Sequence, residues 1–119
     1  MKSLLLTVIL VTTSALSVQA ATLKWIVQSD YDDAQQLIFY SKTYNRSWPG
    51  GGRVYNLTDS DPHTFSLACT PGENICYGAW PDGETDGLQW GVGYKGKLGC
   101  SNCCFRCGQG PSVRSRLGN

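Results

Sequence analysis

Little in this chain equips it for covalent chemistry. It has a single histidine, His63, and lacks a nucleophile elbow, a glycine-rich phosphate loop and a metalloprotease helix. His63 follows Asp61-Pro62 at a strand start, where a lone histidine reads as a surface residue and not a general base. Asp59 and Asp61 stand two residues apart in a turn and read as turn formers, not as the paired carboxylates of a glycosidase. Neither an enzyme nor a cofactor is expected. Net charge is missing as well. Lys2 is the one charged residue of the first twenty, so without them the basic count falls from 10 to 9, level with the 9 acids. A formally neutral chain has no electrostatic footprint for nucleic acid and no basic face for anionic membranes. Past residue 20 no apolar run approaches the ~20 residues that span a bilayer. The chain also carries no internal repeat and no low-complexity tract.

What is present begins with a leader. Lys2 gives residues 1–20 a positive start, Leu4 to Leu16 is apolar apart from Thr and Ser, and Val18-Gln19-Ala20 closes on small residues. These are the three parts of a cleavable secretory signal, too short to anchor in a membrane, and they predict a secreted, extracellular product. No cysteine follows directly, so a lipid anchor there is not expected.

Six cysteines follow with the spacing C-x6-C-x23-C-x2-C-C-x2-C: Cys69, Cys76, Cys100, Cys103, Cys104 and Cys107. In an exported chain of this length an even count predicts a disulfide framework, for which six cysteines allow fifteen connectivities. Cys69 and Cys76 flank the Pro71-Gly72 turn, so a cross-hairpin bridge between them is sterically reasonable. A rival reading gathers Cys100, Cys103, Cys104 and Cys107 on one helical face as four thiolates for zinc. The adjacency of Cys103 and Cys104 and the oxidising route of export weigh against it. Three disulfides at ~2–4 kcal/mol each would rival the whole net stability of so small a domain.

Period-two alternation recurs after the leader. Leu23, Trp25 and Val27 share a face opposite Lys24 and Gln28; Leu37 and Phe39 alternate with Ile38 and Tyr40; Tyr55 and Leu57 with Val54 and Asn56. Phe65, Leu67 and Cys69 alternate with Thr64, Ser66 and Ala68, and Leu88, Trp90, Val92 and Tyr94 with Gln89, Gly91 and Gly93. Half-buried strands read this way because successive side chains point to opposite faces. Turn residues separate the runs at Trp48-Pro49-Gly50-Gly51-Gly52, Thr70-Pro71-Gly72-Glu73, Pro81-Asp82-Gly83 and Gly96. The expected fold is all-β, a small antiparallel sandwich or barrel-like domain stapled by disulfides over residues 21–108. One helical turn or two is expected near Asp32 to Gln36, and residues 109–119 read as a flexible tail.

Several residues are candidates for binding. Trp48 and Trp80 each precede a proline at a loop, where an exposed ring would stack on a sugar or grip a partner. Trp25 and Trp90 run in phase with apolar neighbours and are expected in the core. Asp82-Gly83-Glu84-Thr85-Asp86-Gly87 resembles the start of a calcium loop, but Gly93 stands at the twelfth position, where a bidentate glutamate is needed. An EF-hand is excluded; a weak Ca²⁺ site from Asp82, Glu84 and Asp86 is the residual alternative to a solvated hairpin tip. Asn45-Arg46-Ser47 and Asn56-Leu57-Thr58 are N-glycosylation sequons, so Asn45 and Asn56 are candidate glycan carriers in a eukaryotic source.

Trp48-Pro49-Gly50-Gly51, Ile75-Cys76-Tyr77-Gly78-Ala79-Trp80 and Trp90-Gly91-Val92-Gly93, followed by Cys100 to Cys107, together resemble a small secreted cysteine-rich domain that recurs in proteins of uncharacterised function. The resemblance covers about residues 23–107 and implies a discrete domain without a transferable activity. In kind the chain is also similar to proteins occluded in shell or skeletal matrices and to secreted defence proteins. The expected function is an extracellular structural or binding protein of a matrix, mineralised matrices included, with an extracellular matrix or a surface glycan as partner. A defence or toxin-like effector and a carbohydrate-binding module are the alternatives.

Overall fold

The computed structural model describes residues 3–12 and 20–118. Most of the rest of the expected leader lies outside the described residues, and residues 3–12 form neither helix nor strand. The strands in order are β1 (Ala21–Ser29), β2 (Gln35–Ser41), β3 (Ser47–Trp48), β4 (Tyr55–Leu57) and β5 (His63–Cys69). They continue with β6 (Asn74–Pro81), β7 (Trp90–Gly91), β8 (Cys104–Arg106) and β9 (Val113–Leu117), with a 3-10 turn at Tyr94–Gly96. Two sheets face each other, and neither closes into a barrel. One is three-stranded, in the order β5-β1-β9. The other is built on the antiparallel pair β2–β6. Two short strands run along each outer edge of that pair: β3 and β4 beside β2, and β7 and β8 beside β6.

The alternation read in the sequence sets the inner faces. Leu23, Trp25 and Val27 of β1 and Leu67 of β5 meet Leu37 and Phe39 of β2 across the sandwich, all essentially without exposure. Trp25 is the centre of this core. Its ring lies 5.0 Å from Phe39, 5.9 Å from Tyr77 and 5.2 Å from Phe105, and its indole N–H donates to Ser115 Oγ at 2.9 Å. Tilted and edge-on contacts of this kind add to the area that the rings bury.

Strand β6 has no alternation to read, because both of its faces are covered. Ile75, Tyr77 and Ala79 share the inner face of their β2 partners. On the outer face Gly78 and Trp80 lie under the segment that follows β7, and Cys76 is bonded to Cys104 of β8. Gly78 permits that cover: a Cβ there would collide with the carbonyl oxygen of Gly93. Gly91 permits the approach as well, with φ of 64° and no room for a Cβ against Tyr77. A strand buried on both sides reads as a continuous apolar run, a pattern that periodicity does not single out.

Three further expectations are corrected. The tail expected from residue 109 contains β9, which pairs in parallel with β1 from Trp25↔Val113 to Ser29↔Leu117 and buries Val113 and Leu117. Its alternation of Val113, Ser115 and Leu117 with Arg114 and Arg116 is a strand pattern hidden in polar composition, and it makes the sandwich mixed and not wholly antiparallel. The strand expected over residues 88–94 shrinks to Trp90–Gly91, since Gly91 and Gly93 both take positive φ and turn the chain. No helix forms at Asp32 to Gln36; the chain bends there and enters β2 at Gln35.

Candidate functional site

The register places the charged residues unevenly. Loops 30–33, 58–61 and 82–87 all lie at one end of the sandwich, where Gln35 pairs with both Leu57 and Pro81, and Val27 pairs with His63. Those loops hold every carboxylate of the 9 except Glu73. Two of them border a cleft of about 240 Å³ lined by Asp30, Tyr31, Asp32, Asp33, Thr58, Asp59 and Ser60. Local pairing holds the loops. Arg116 grips Asp30 through Nε (2.5 Å) and Nη2 (3.0 Å), and its hydrogen bonds hold that carboxyl below the ordinary range. Asp59 accepts from the Asp61 amide at 3.0 Å and meets His63 Nε2 at 2.6 Å, and the histidine contact is the larger cause of its lowered pKa. His63 and the two aspartates are thus a turn-forming cluster, as their spacing suggests. Asp82, Glu84 and Asp86 do not converge: among the described residues no group of three or more His, Cys, Asp or Glu side chains could hold a metal ion.

The opposite end carries the cysteines. Cys69 bonds Cys107, Cys76 bonds Cys104 and Cys100 bonds Cys103, so all six are oxidised. This overturns both the Cys69–Cys76 bridge and the four-thiolate zinc reading. The Thr70–Glu73 turn forms, with Glu73 N–H donating to Thr70 O at 2.9 Å, but it passes from one sheet to the other and no hairpin results. Cys76 therefore faces away from Cys69 and stands directly opposite Cys104 in the β6–β8 ladder.

A buried charge closes the same end. Glu73 is 1% exposed. Its carboxylate accepts from Arg46 Nε at 2.9 Å, from Arg46 Nη2 and from the Thr70 amide at 3.0 Å. Arg46 above all, helped by Ser41 and the Thr70 amide against the opposing effect of burial, holds the Glu73 pKa at about 2. Two charge-assisted bonds to a planar guanidinium are what make such burial tolerable. Arg46 in turn lies 5.1 Å from the Trp48 ring centroid and 5.5 Å from that of Tyr44.

The two candidate tryptophans differ. Trp48 is half-buried; its N–H donates to Ala68 O at 3.2 Å, and Arg46 covers its ring. Trp80 is 1% exposed, its N–H donating to Gln36 Oε1 at 2.8 Å and its ring edge-on to Tyr94 at 5.0 Å. The exposed ring expected there is corrected: Trp80 belongs to β6, and the 92–98 segment roofs it. Trp25 is core as expected. Trp90 is half-buried and donates to Gly118 O at 2.7 Å. Asn45 and Asn56 are both exposed, Asn56 on β4 opposite Gln36.

Sequence reasoning missed the roof itself. Tyr40 of β2 donates from its hydroxyl to Gly93 O at 3.4 Å, and the Gly96 amide donates to that same carbonyl at 3.2 Å. Burial pushes the Tyr40 phenol up. The signal available beforehand was Tyr94-Lys95-Gly96-Lys97, a basic turn that charge counting over the whole chain averages away. The chain matches no family model, no curated protein and no solved structure. What it does has to come from its own residues.

Proposed function

We propose that this protein works outside the cell by binding, as a rigid structural component of an extracellular matrix and, in particular, of a mineral-bearing one. The observation that carries this reading is the polarity of the sandwich, with three disulfides at one end and acidic loops at the other. Disulfides persist in oxidising compartments, in keeping with the secretory character of the first twenty residues. The carboxylates are spread over an end face and do not surround one point, an arrangement suited to an extended array of cations more than to a single ion. His63 is engaged by Asp59, and the reading is of a binding protein and not an enzyme.

Fractionation of source tissue tests it. The protein should stay with insoluble extracellular material and be released by demineralisation or chaotrope. Recovery wholly as a freely diffusing monomer would overturn the proposal. The carbohydrate alternative loses Trp80, which is covered, and needs a different surface.

A further inference from the structure

We propose that the outer face of the β2–β6 pair, at the Tyr94–Lys97 turn, binds an acidic polysaccharide, a chain bearing sulfate or carboxylate groups. The turn is fixed from below. Trp80 abuts Tyr94, and Gly93 O accepts both the Tyr40 hydroxyl at 3.4 Å and the Gly96 amide at 3.2 Å. Lys95 has φ of 58° and ψ of 19°, the one non-glycine residue with positive φ among those described. A lysine adopts this conformation only where its surroundings impose it, and such residues gather at functional surfaces. Here it sets the Lys95 ammonium over the Tyr94 ring, 5.3 Å from the centroid.

Lys42 joins the turn from β2's end: its Nζ lies 3.9 Å from where a Gly96 Cβ would stand, beside the Tyr40 ring at 3.8 Å. Lys97 is exposed in the same turn. None of the three lysines takes part in an ion pair among the described residues; the pairs there are Arg46–Glu73, His63–Asp59 and Arg116–Asp30. Gln89 ties the turn to the 82–87 loop, accepting from the Tyr94 amide at 2.9 Å and donating to Thr85 O at 2.8 Å, and the carboxylates of that loop form no ion pair with the three lysines among the described residues. The patch thus offers three unpaired ammonium groups on a preorganised base with two phenol rings. Ammonium groups suit sulfate or carboxylate, and aromatic edges suit sugar rings. A membrane surface would need a broad apolar face, whereas Leu98 is the one exposed large aliphatic side chain of the turn.

The ligand class deepens the matrix reading, but binding can be measured without it. Titration of the folded, disulfide-intact protein with heparin, and with alginate as a carboxylate-only chain, should give an affinity that falls with salt, about one counterion released per lysine. Combined Lys42→Ala, Lys95→Asn and Lys97→Ala substitutions should weaken binding about tenfold or more and flatten the salt slope. Asparagine tolerates the left-handed conformation at 95, and unchanged near-ultraviolet circular dichroism would confirm the Trp80–Tyr94 packing. Lys24→Ala with Arg114→Ala, on the other sheet, should leave binding as it was. Heparin alone binding would assign sulfate; both polymers binding would assign general polyanion recognition. Undiminished binding by the triple variant would overturn the proposal. So would equal competition by a neutral dextran, or binding to phosphatidylserine vesicles but to neither polymer. A soluble protein in tissue that still binds heparin through these lysines would sink the matrix reading alone.

Discussion

The two ends of the sandwich solve the same problem by different means. Chain must turn between sheets at both, yet one end holds three disulfides and a buried ion pair while the other holds short loops pinned at the surface. The segment from residue 92 to 103 makes a long irregular excursion between β7 and β8, from its contact with Trp80 to the Cys100–Cys103 bridge at the cysteine end. Cross-links there remove freedom from the unfolded chain that packing could not offset in so small a core. At the acidic end the loops are short, and strand register on both sides holds them. Ion pairs as exposed as Arg116–Asp30 add little. Stability is concentrated at one end and charge at the other.

Removing cross-links should erode the contrast most. Replacing Cys69 and Cys107 by alanine opens a bridge spanning 38 residues, within which Cys76–Cys104 already closes a loop. A loss of about 3–4 kcal/mol is expected in chemical unfolding, enough to leave a domain this size mostly unfolded when warmed. Intact mass of the native protein should show no free thiol, and thiols that alkylate only after chelation would restore the zinc reading.

Glu73→Gln comes next, at about 2–3 kcal/mol. Its sign with pH follows from the lowered pKa. The ordinary value of 4.5 falls to about 2 on folding, so the carboxylate's contribution is complete above about pH 5 and is lost as pH falls through 4.5 towards 2. Acid unfolding monitored by tryptophan fluorescence should therefore be much shallower in the glutamine variant, and an unchanged acid limb would count against the ion pair. Loss of Cys100–Cys103, with a separation of 3, should cost about 2 kcal/mol or less, because a short loop has little entropy to restrict. Least of all, Asp30→Asn and Asp59→Asn should shift the melting temperature within the scatter of measurement, since both are exposed. Amide exchange would sharpen the picture: β6 and the Cys69–Cys107 end should exchange last, and loops 30–33 and 58–61 first.

How far these features could be read beforehand depended on whether one residue's neighbours were near it in sequence. Leu23–Trp25–Val27, Leu37–Phe39 and Phe65–Leu67–Cys69 announced strands because a half-buried strand writes period two into its own residues. β6 and β9 did not announce themselves. β6 is covered on both faces, and β9 hides its Val113 and Leu117 among arginine, serine and glycine. Trp80 looked exposed because Pro81 follows it, yet its roof is Tyr94, fourteen positions on. The near balance of 10 basic and 9 acidic residues misled, since adding charges discards their positions.

The chain's own residues thus determined an all-β, cysteine-bonded domain, through side-chain alternation, turn residues and an even cysteine count, all of them local or additive properties. Which cysteines meet, where the carboxylates gather, what covers Trp80 and where three lysines stand together were decided by the tertiary structure. Each is a contact between segments distant along the chain, made only once the two sheets have chosen their register and closed on Trp25.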